Sequence, residues 1–171
     1  MRIIAGSAKG RTLLAPRDSA GVRPTADRVR ETIFNVLGQW MEGLAVLDLY
    51  TGTGALALEA MSRGAASAVL VDLDTTIAGR NARELGFEVT LMRQPVARAI
   101  EQLGKRGQKF DLVFSDPPYA DEVGAEILAA VRPLLNPGAR VVIEHSKREA
   151  MPEEGRVDER RFGDTIVSIY E

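Results

Sequence analysis

The chain has 171 residues, 45% of them hydrophobic, which is enough for one domain with a complete core. It has no cysteine, which excludes disulfides, thiolate metal sites and a cysteine nucleophile. The single histidine, His145, disfavours a metal site or a Ser-His-Asp hydrolase. No apolar stretch approaches the ~18 residues of a membrane span, and residues 1–10 lack the apolar core of a signal peptide. We therefore expect a cytoplasmic, monomeric protein without metal.

The net charge of −2 does not suggest a polyanionic partner, but the charge is unevenly distributed. Residues 1–41 hold seven basic and three acidic side chains, a net of +4, which leaves −6 for the remainder. A basic amino-terminal arm on an acidic body can dock on a polyanion. A solvated surface would explain the same charges.

The first elements along the chain are short. Residues 2–5 and 11–15 predict two strands of a hairpin around Gly6 and Gly10. Residues 16–24 predict a loop, after which Thr25 is placed to cap a helix. That helix is predicted from apolar residues at helical spacing: Val29, Ile33, Leu37 and Trp40.

From residue 44 onward, apolar strands alternate with helical stretches. The strands are predicted at 45–50, 68–72, 88–92, 111–115 and 139–144, and the helices near 55–63, 75–85, 95–104 and 122–132. This alternation indicates a parallel α/β sheet covered on both faces. Two further strands about Gly163 and Asp164 predict an antiparallel addition at the end.

A glycine loop joins the first core strand to its helix. Gly52 and Gly54 allow a sharp turn and close approach of a ligand, and Asp48 precedes them. Asp72 ends the next strand, twenty positions after Gly52, where a carboxylate can accept both hydroxyls of a ribose. S-Adenosylmethionine, which carries a ribose, an ammonium and a sulfonium, fits both acidic positions.

The same glycines leave a rival reading open. Gly52, Gly54 and Ala57 also fit the dinucleotide fingerprint, so an NAD-dependent oxidoreductase is an alternative. Asp48 argues against it, because its charge would repel a pyrophosphate. A plain tight turn is a further alternative.

The four residues from Asp116 to Tyr119, Asp-Pro-Pro-Tyr, follow an apolar strand. Proline has no N–H, so this turn offers mainly hydrogen-bond acceptors beside an aromatic ring. The Asp116 carboxylate and the Pro117 carbonyl are predicted to hold the two N–H groups of a nucleobase amine and to direct its lone pair at a sulfonium methyl. Tyr119 is predicted to stack on the base. A simple strand stop is the alternative. Glu144, the last residue of the predicted strand 139–144, is an alternative pocket residue to which no role is assigned.

Taken together, these motifs resemble a class I adenosylmethionine-dependent methyltransferase. The blocks at 2–6, 9–11, 54–60, 62–65 and above all 23–35 resemble the RsmD-type 16S ribosomal RNA guanine-N2 methyltransferases. The resemblance implies a Rossmann-like seven-stranded sheet with helices on both faces and an amino-terminal β-hairpin arm. It divides the chain into a basic RNA-contacting arm, 1–22, and a catalytic domain, 23–171.

The resemblance also implies partners and residue roles. The substrate would be a guanine N2 amine in 16S ribosomal RNA of the small subunit or an assembly intermediate. Four arginines would contact RNA phosphates: Arg11, Arg23, Arg28 and Arg30. Pairing of such arginines with neighbouring acids, for instance Asp27 or Glu31, is the alternative.

Two positions depart from the family pattern. Asp72 stands where glutamate is common on the ribose, and Gln94 stands where an acidic residue near the adenine is expected. Gln94 is predicted to contact the adenine edge. A DNA adenine-N6 methyltransferase, which would share the pocket, and a non-catalytic RNA-binding protein remain alternatives.

Overall fold

The sheet that the sequence predicts is present, with seven strands. The computed structural model describes residues 1–17, 24–39 and 41–171, and the side chains of these except residues 24 and 25. The strands are β1 Ala45–Leu49, β2 Ser67–Asp72, β3 Thr90–Arg93, β4 Phe110–Ser115, β5 Leu135–Ser146, β6 Arg156–Phe162 and β7 Thr165–Tyr170. The helices are α1 Pro24–Leu37, α2 Ala55–Ser62, α3 Thr76–Leu85, α4 Val96–Lys105 and α5 Gly124–Val131.

The strand order is β3-β2-β1-β4-β5-β7-β6. Strands β1 to β5 run parallel, and β7 lies antiparallel between β5 and β6. Because the order reverses between β1 and β4, a crevice forms beyond the carboxyl ends of these two strands, which is where ligands bind in open α/β sheets.

Helices cover both faces of the sheet, as predicted. On one face, α1 and α2 pack Ile33, Phe34 and Ala57 against the strands. On the other face, α4 and α5 contribute apolar residues such as Leu103 and Val131. Among the described residues, no helix is both long and apolar enough to cross a bilayer.

The amino-terminal hairpin is less regular than predicted. In place of two strands, a single antiparallel bridge joins Arg2 to Thr12. Ile3 and Leu13 still donate across the hairpin, to the Arg11 and Met1 carbonyls at 3.0 and 2.9 Å. Other N–H groups of this segment donate to helix side chains. Ile4 and Ala5 donate to the Glu59 carboxylate at 2.8 and 3.0 Å, and Ala8 donates to the Ser62 hydroxyl at 2.9 Å.

Close packing fixes this segment on α2. Gly6 has a φ of 84°, and a Cβ there would lie 1.8 Å from the Ser62 carbonyl oxygen, so no other residue fits without displacing the helix. Ile3 and Leu13 pack against Leu58. The division of the chain at residues 22 and 23 stays a prediction.

Other boundaries shift slightly. Helix α1 begins at Pro24, so Thr25 lies inside the helix rather than at its cap. Proline is favourable in a first turn because its missing N–H would have no helical partner there. Strand β5 is longer than predicted because it begins at Leu135, before a register shift opposite Phe110 and Leu112. Trp40 and most of the predicted loop lie outside the described residues.

Candidate active site

The candidate site lies at the carboxyl ends of β1, β4 and β5. Leu49 pairs with Ser115, and Ser115 pairs with Ile143. The residues that directly follow Leu49, Ser115 and Ile143 in the sequence are Tyr50, Asp116 and Glu144. All three line one cavity of about 340 Å³. Asp48 lines the same cavity. The register of the sheet thus gathers three carboxyl groups at its switch point.

The glycine loop forms the wall beside β1. Tyr50 has a φ of 58° and Gly52 a φ of 56°, so the chain turns through the left-handed region here. That region costs a bulky side chain about 1–3 kcal/mol, and the strain at Tyr50 coincides with the cavity. A Cβ on Gly52 would meet no heavy atom within 4 Å, so the space beside it is open to a ligand.

Asp48 fastens this loop to helix α2. Its carboxylate accepts hydrogen bonds from the Thr51 hydroxyl at 2.7 Å and from the Ala57 N–H at 3.3 Å. The side chain is buried, and burial raises its pKa to about 7, although both hydrogen bonds oppose the rise. A cation bound in the cavity would therefore favour ionised Asp48.

Asp72 lies beside the glycine loop but does not line the cavity. One carboxylate oxygen accepts the Gly52 N–H at 2.8 Å, and the other accepts the Leu73 N–H at 2.7 Å. Each oxygen keeps a further acceptor site, so ribose hydroxyls can still donate to it. Leu73, the next residue, is 70% exposed and was not singled out from the sequence. An exposed apolar side chain beside the glycine loop offers a surface that a nucleobase can cover.

Gln94 lies next to Asp72, outside the cavity. Its N–H donates to the Asp72 carbonyl at 3.0 Å. Its side-chain amide donates to the Gln102 side chain at 3.0 Å. A contact between Gln94 and an adenine would compete with that hydrogen bond.

The Asp-Pro-Pro-Tyr turn is open rather than sealed in the core. Asp116 is exposed and faces the cavity, whereas Pro117 is buried. Tyr119 is 52% exposed, lines the cavity, and its hydroxyl lies 2.6 Å from the Thr165 Oγ1. The carboxylate and the aromatic ring therefore border the same space.

The carboxyls of Asp116 and Glu144 have raised pKa values. The main cause for both is loss of solvent around the carboxyl groups in the cavity wall, although Asp116 keeps an exposed surface toward the cavity. The charges of Asp116 and Asp48 further raise the pKa of Glu144. The sequence reasoning gave Glu144 no role. The available signal was its position at the carboxyl end of the predicted strand 139–144, which lies beside β4 in the sheet.

The four predicted RNA-contacting arginines are in different environments. Arg30 is buried and lines the cavity, which differs from the expected surface contact; its guanidinium donates to the Arg2 carbonyl and to Asp27. Arg11 is exposed and donates to the Glu84 carbonyl at 2.8 Å. Arg28 is exposed and forms no ion pair with any described residue. Arg23 lies outside the described residues.

Comparison with known proteins places these features in a family. The family model described as "Conserved hypothetical protein 95" matches residues 1–171. "Putative rRNA methyltransferase YlbH" of Bacillus subtilis (strain 168) is 34% identical over 181 residues, covering 99% of this chain and 98% of that protein.

A curated protein and a solved structure from Escherichia coli are also similar. "Ribosomal RNA small subunit methyltransferase D" of strain K12 is 41% identical over 120 residues, covering 70% of this chain and 60% of that protein. The chain therefore matches less than two thirds of that relative's length. The solved structure "Putative methyltransferase yhhF from Escherichia coli" superposes with a TM-score of 0.85 at 30% identity, covering 99% of this chain and 96% of the other.

Proposed function

We infer that the protein is a methyltransferase that uses S-adenosylmethionine to methylate ribosomal RNA. The inference starts from the family to which the chain belongs, which is described as "Conserved hypothetical protein 95". We further propose that the target is the exocyclic N2 amine of a guanine in 16S ribosomal RNA of the small subunit. The names of the Bacillus and Escherichia relatives support an RNA substrate. The main support for the proposal is that Asp116, Tyr119 and Asp48 line the same cavity at the switch point of the sheet.

The groups on the cavity wall suit this methyl donor. Its amino acid end carries an ammonium and its reactive centre a sulfonium, and the cavity presents three carboxyl groups, from Asp48, Asp116 and Glu144. Outside the cavity, Asp72 is available to the ribose hydroxyls, and the exposed Leu73 to the adenine face. When bound, the donor supplies a methyl group attached to positively charged sulfur.

The glycine loop does not suit a pyrophosphate, which the NAD alternative would require. Such a ligand needs free N–H groups at the loop and no nearby negative charge. Gly52 already donates its N–H to Asp72, and Gly54 donates to the Thr51 carbonyl at 2.8 Å. The loop therefore offers few donors, and the surrounding carboxylates repel an anion.

The chain's own residues would position the acceptor amine. An amine on a purine ring is a poor nucleophile because its lone pair is delocalised into the ring. Asp116, with the Pro117 carbonyl, accepts its N–H groups, which favours a pyramidal nitrogen with its lone pair directed into the cavity. Tyr119 supports the base by stacking. Positioning of this kind can lower a barrier by ~7–11 kcal/mol. The bond that N2 would form to the methyl carbon replaces the bond from that carbon to sulfur, which would leave as a neutral thioether. Asp116 is placed to take the proton that N2 releases.

The RNA would approach across the face that carries α1. Arg28 is exposed there without an ion pair among the described residues, and the basic amino-terminal segment packs beside α2. Arg11 and Arg23 would add phosphate contacts. We further propose that the substrate is a folded protein–RNA particle rather than naked RNA.

The test is methyl transfer to small ribosomal subunits from cells that lack the modification. With labelled donor, we expect one labelled guanine, with the methyl group on N2. Label on another base or atom, or none on RNA, would contradict the proposal. Equal rates on protein-free 16S RNA and on assembled subunits would contradict the proposed particle specificity.

A further inference from the structure

Glu144 is a carboxyl group in the candidate site that the proposed transfer does not use. It follows Ile143 on β5, as Asp116 follows Ser115 on β4, and Ile143 and Ser115 are paired. Residues at equivalent positions of neighbouring parallel strands point to the same side of a sheet. The two carboxyls accordingly line the same cavity, and the charge of Asp116 acts on Glu144.

Guanine presents a hydrogen-bonding edge that matches two neighbouring acceptors. Its N1 carries one hydrogen and its N2 carries two, so adjacent donors lie side by side, with the O6 acceptor next to them. Adenine has an acceptor at N1 and an amine at C6. The N–H donors of guanine favour the ionised form of both carboxyls, against the effect that raises the pKa of Glu144 in the free site. A pair of carboxylates fits guanine and opposes adenine.

The cavity also contains a donor. Arg30 is 4% exposed, lines the cavity, and its Nε has no hydrogen-bond partner among the described residues. A cavity lined by one guanidinium and two carboxyls has the mixed donor and acceptor character that O6, N1 and N2 of guanine require. This is a second feature, independent of the carboxyls, that favours a ligand with both donors and acceptors.

We propose that Glu144 determines specificity for guanine by accepting the N1–H of the target base while Asp116 accepts an N2–H. This inference rests on the proposed function and names a further residue for the same site. Asp116 would hold the reacting amine, and Glu144 would identify the base that carries it.

The experiment replaces the target guanine with 2-aminopurine, by splinted ligation of 16S RNA followed by subunit assembly. This base keeps the 2-amine but has neither a hydrogen on N1 nor O6. The loss in the wild type therefore includes any contact of Arg30 with O6, and the comparison with Glu144→Gln isolates the contact to N1. For the wild-type enzyme, we expect kcat/KM to fall roughly 10- to 100-fold, because N1 then faces an acceptor. For Glu144→Gln, whose amide can donate to N1, the preference for guanine should fall to a few-fold or reverse.

The ratio of kcat/KM for the two substrates is measured within each variant. Losses of folded protein or of donor affinity affect both substrates equally and therefore cancel in this ratio. Glu144→Asp, which remains an acceptor, should keep the preference for guanine, and so should Glu154→Ala, a change at an exposed glutamate. An equal guanine preference in the wild type and Glu144→Gln would overturn the inference, as would a wild type that does not discriminate. Failure of the proposed function gives a different result, the absence of N2-methylguanine with the wild type.

Discussion

The hydroxyl of Tyr119 lies 2.6 Å from the Oγ1 of Thr165, which links the turn after β4 to the start of β7 across 46 positions of sequence. Both residues line the candidate site. A ring that stacks on a base binds better when its orientation is set in advance, because less freedom is lost on binding. This contact therefore connects the antiparallel end of the sheet to the placement of the substrate.

Removing this hydrogen bond should weaken transfer moderately. Thr165→Val and Tyr119→Phe should each lower kcat/KM a few-fold, since a hydrogen bond contributes about 0.5–1.5 kcal/mol net. The double variant should be no worse than either single one, whereas Thr165→Ser should behave as the wild type. Additive losses would show that the two groups act separately. Tyr119→Ala, which removes the stacking ring, should cost roughly 1–3 kcal/mol.

Asp116 is expected to act on the chemical step rather than on donor binding. Asp116→Ala should lower kcat by at least about 100-fold, because the amine loses the acceptor that orients it. The affinity for S-adenosylhomocysteine, measured by calorimetry, should change little. A large loss of that affinity with an unchanged kcat would place Asp116 in the donor site instead.

Asp48 should make the stability of the protein depend on pH. Its pKa in the folded chain is about 7, above the ordinary value of 3.8. The folded state therefore keeps a proton that the unfolded state loses, so stability falls as the pH rises from about 4 to 7. The groups that act on it are Thr51 and the Ala57 N–H, which favour ionisation, and Asp116 and Asp72, which oppose it.

Asp48→Asn tests this directly. The amide oxygen can still accept from Thr51 and Ala57, so the variant should be more stable than the wild type at pH 8 and about equal at pH 4. Urea unfolding at both values measures the difference. Donor affinity should fall, because a neutral amide no longer attracts the ammonium. A wild type whose stability rises between pH 4 and 7 in parallel with the variant would contradict the assignment.

The sheet and the motifs at its switch point follow from local signals in the sequence. Strands β1 and β4 are mostly apolar runs, and a carboxylate lies near the carboxyl end of each. Asp48 is the last but one residue of β1, and Asp116 directly follows β4. The glycine loop and the Asp-Pro-Pro-Tyr turn are contiguous motifs. Their meeting in one cavity follows from the rule that parallel strands place their carboxyl ends at one edge.

Features that depend on contacts between distant segments of the chain could not be predicted from the sequence. Glu144 faces the cavity because β5 lies beside β4, and strand order is not written in either strand. The family resemblance predicted an RNA phosphate contact for Arg30, with pairing to Asp27 as the alternative. In the structure Arg30 is buried and donates to the Arg2 carbonyl and to Asp27. The hairpin pattern also gave no sign that Glu59, more than fifty residues away, accepts the N–H groups of Ile4 and Ala5.

Glu59 should be essential for anchoring the amino-terminal segment. The side chain is fully buried, accepts the N–H groups of Ile4 and Ala5, and pairs with Arg63 at 2.9 Å. Glu59→Ala should lower the free energy of unfolding by about 3–5 kcal/mol, because Arg63 remains buried without its partner. Glu101→Ala removes an exposed pair of the same spacing, with Lys105, and should leave stability unchanged. Similar effects of the two changes in urea unfolding would contradict this role.

Arg28 should contribute to RNA affinity through charge alone. It is exposed on α1 and forms no ion pair within the described part of the chain, so its charge is available to a phosphate. Arg28→Ala should weaken binding to small subunits, and the plot of log affinity against log salt should become shallower by about one. Arg98→Ala, an exposed arginine on α4 across the sheet, is the matched control and should change neither quantity. An equal loss in both variants would mean that RNA binding depends on overall charge and not on the face that carries α1.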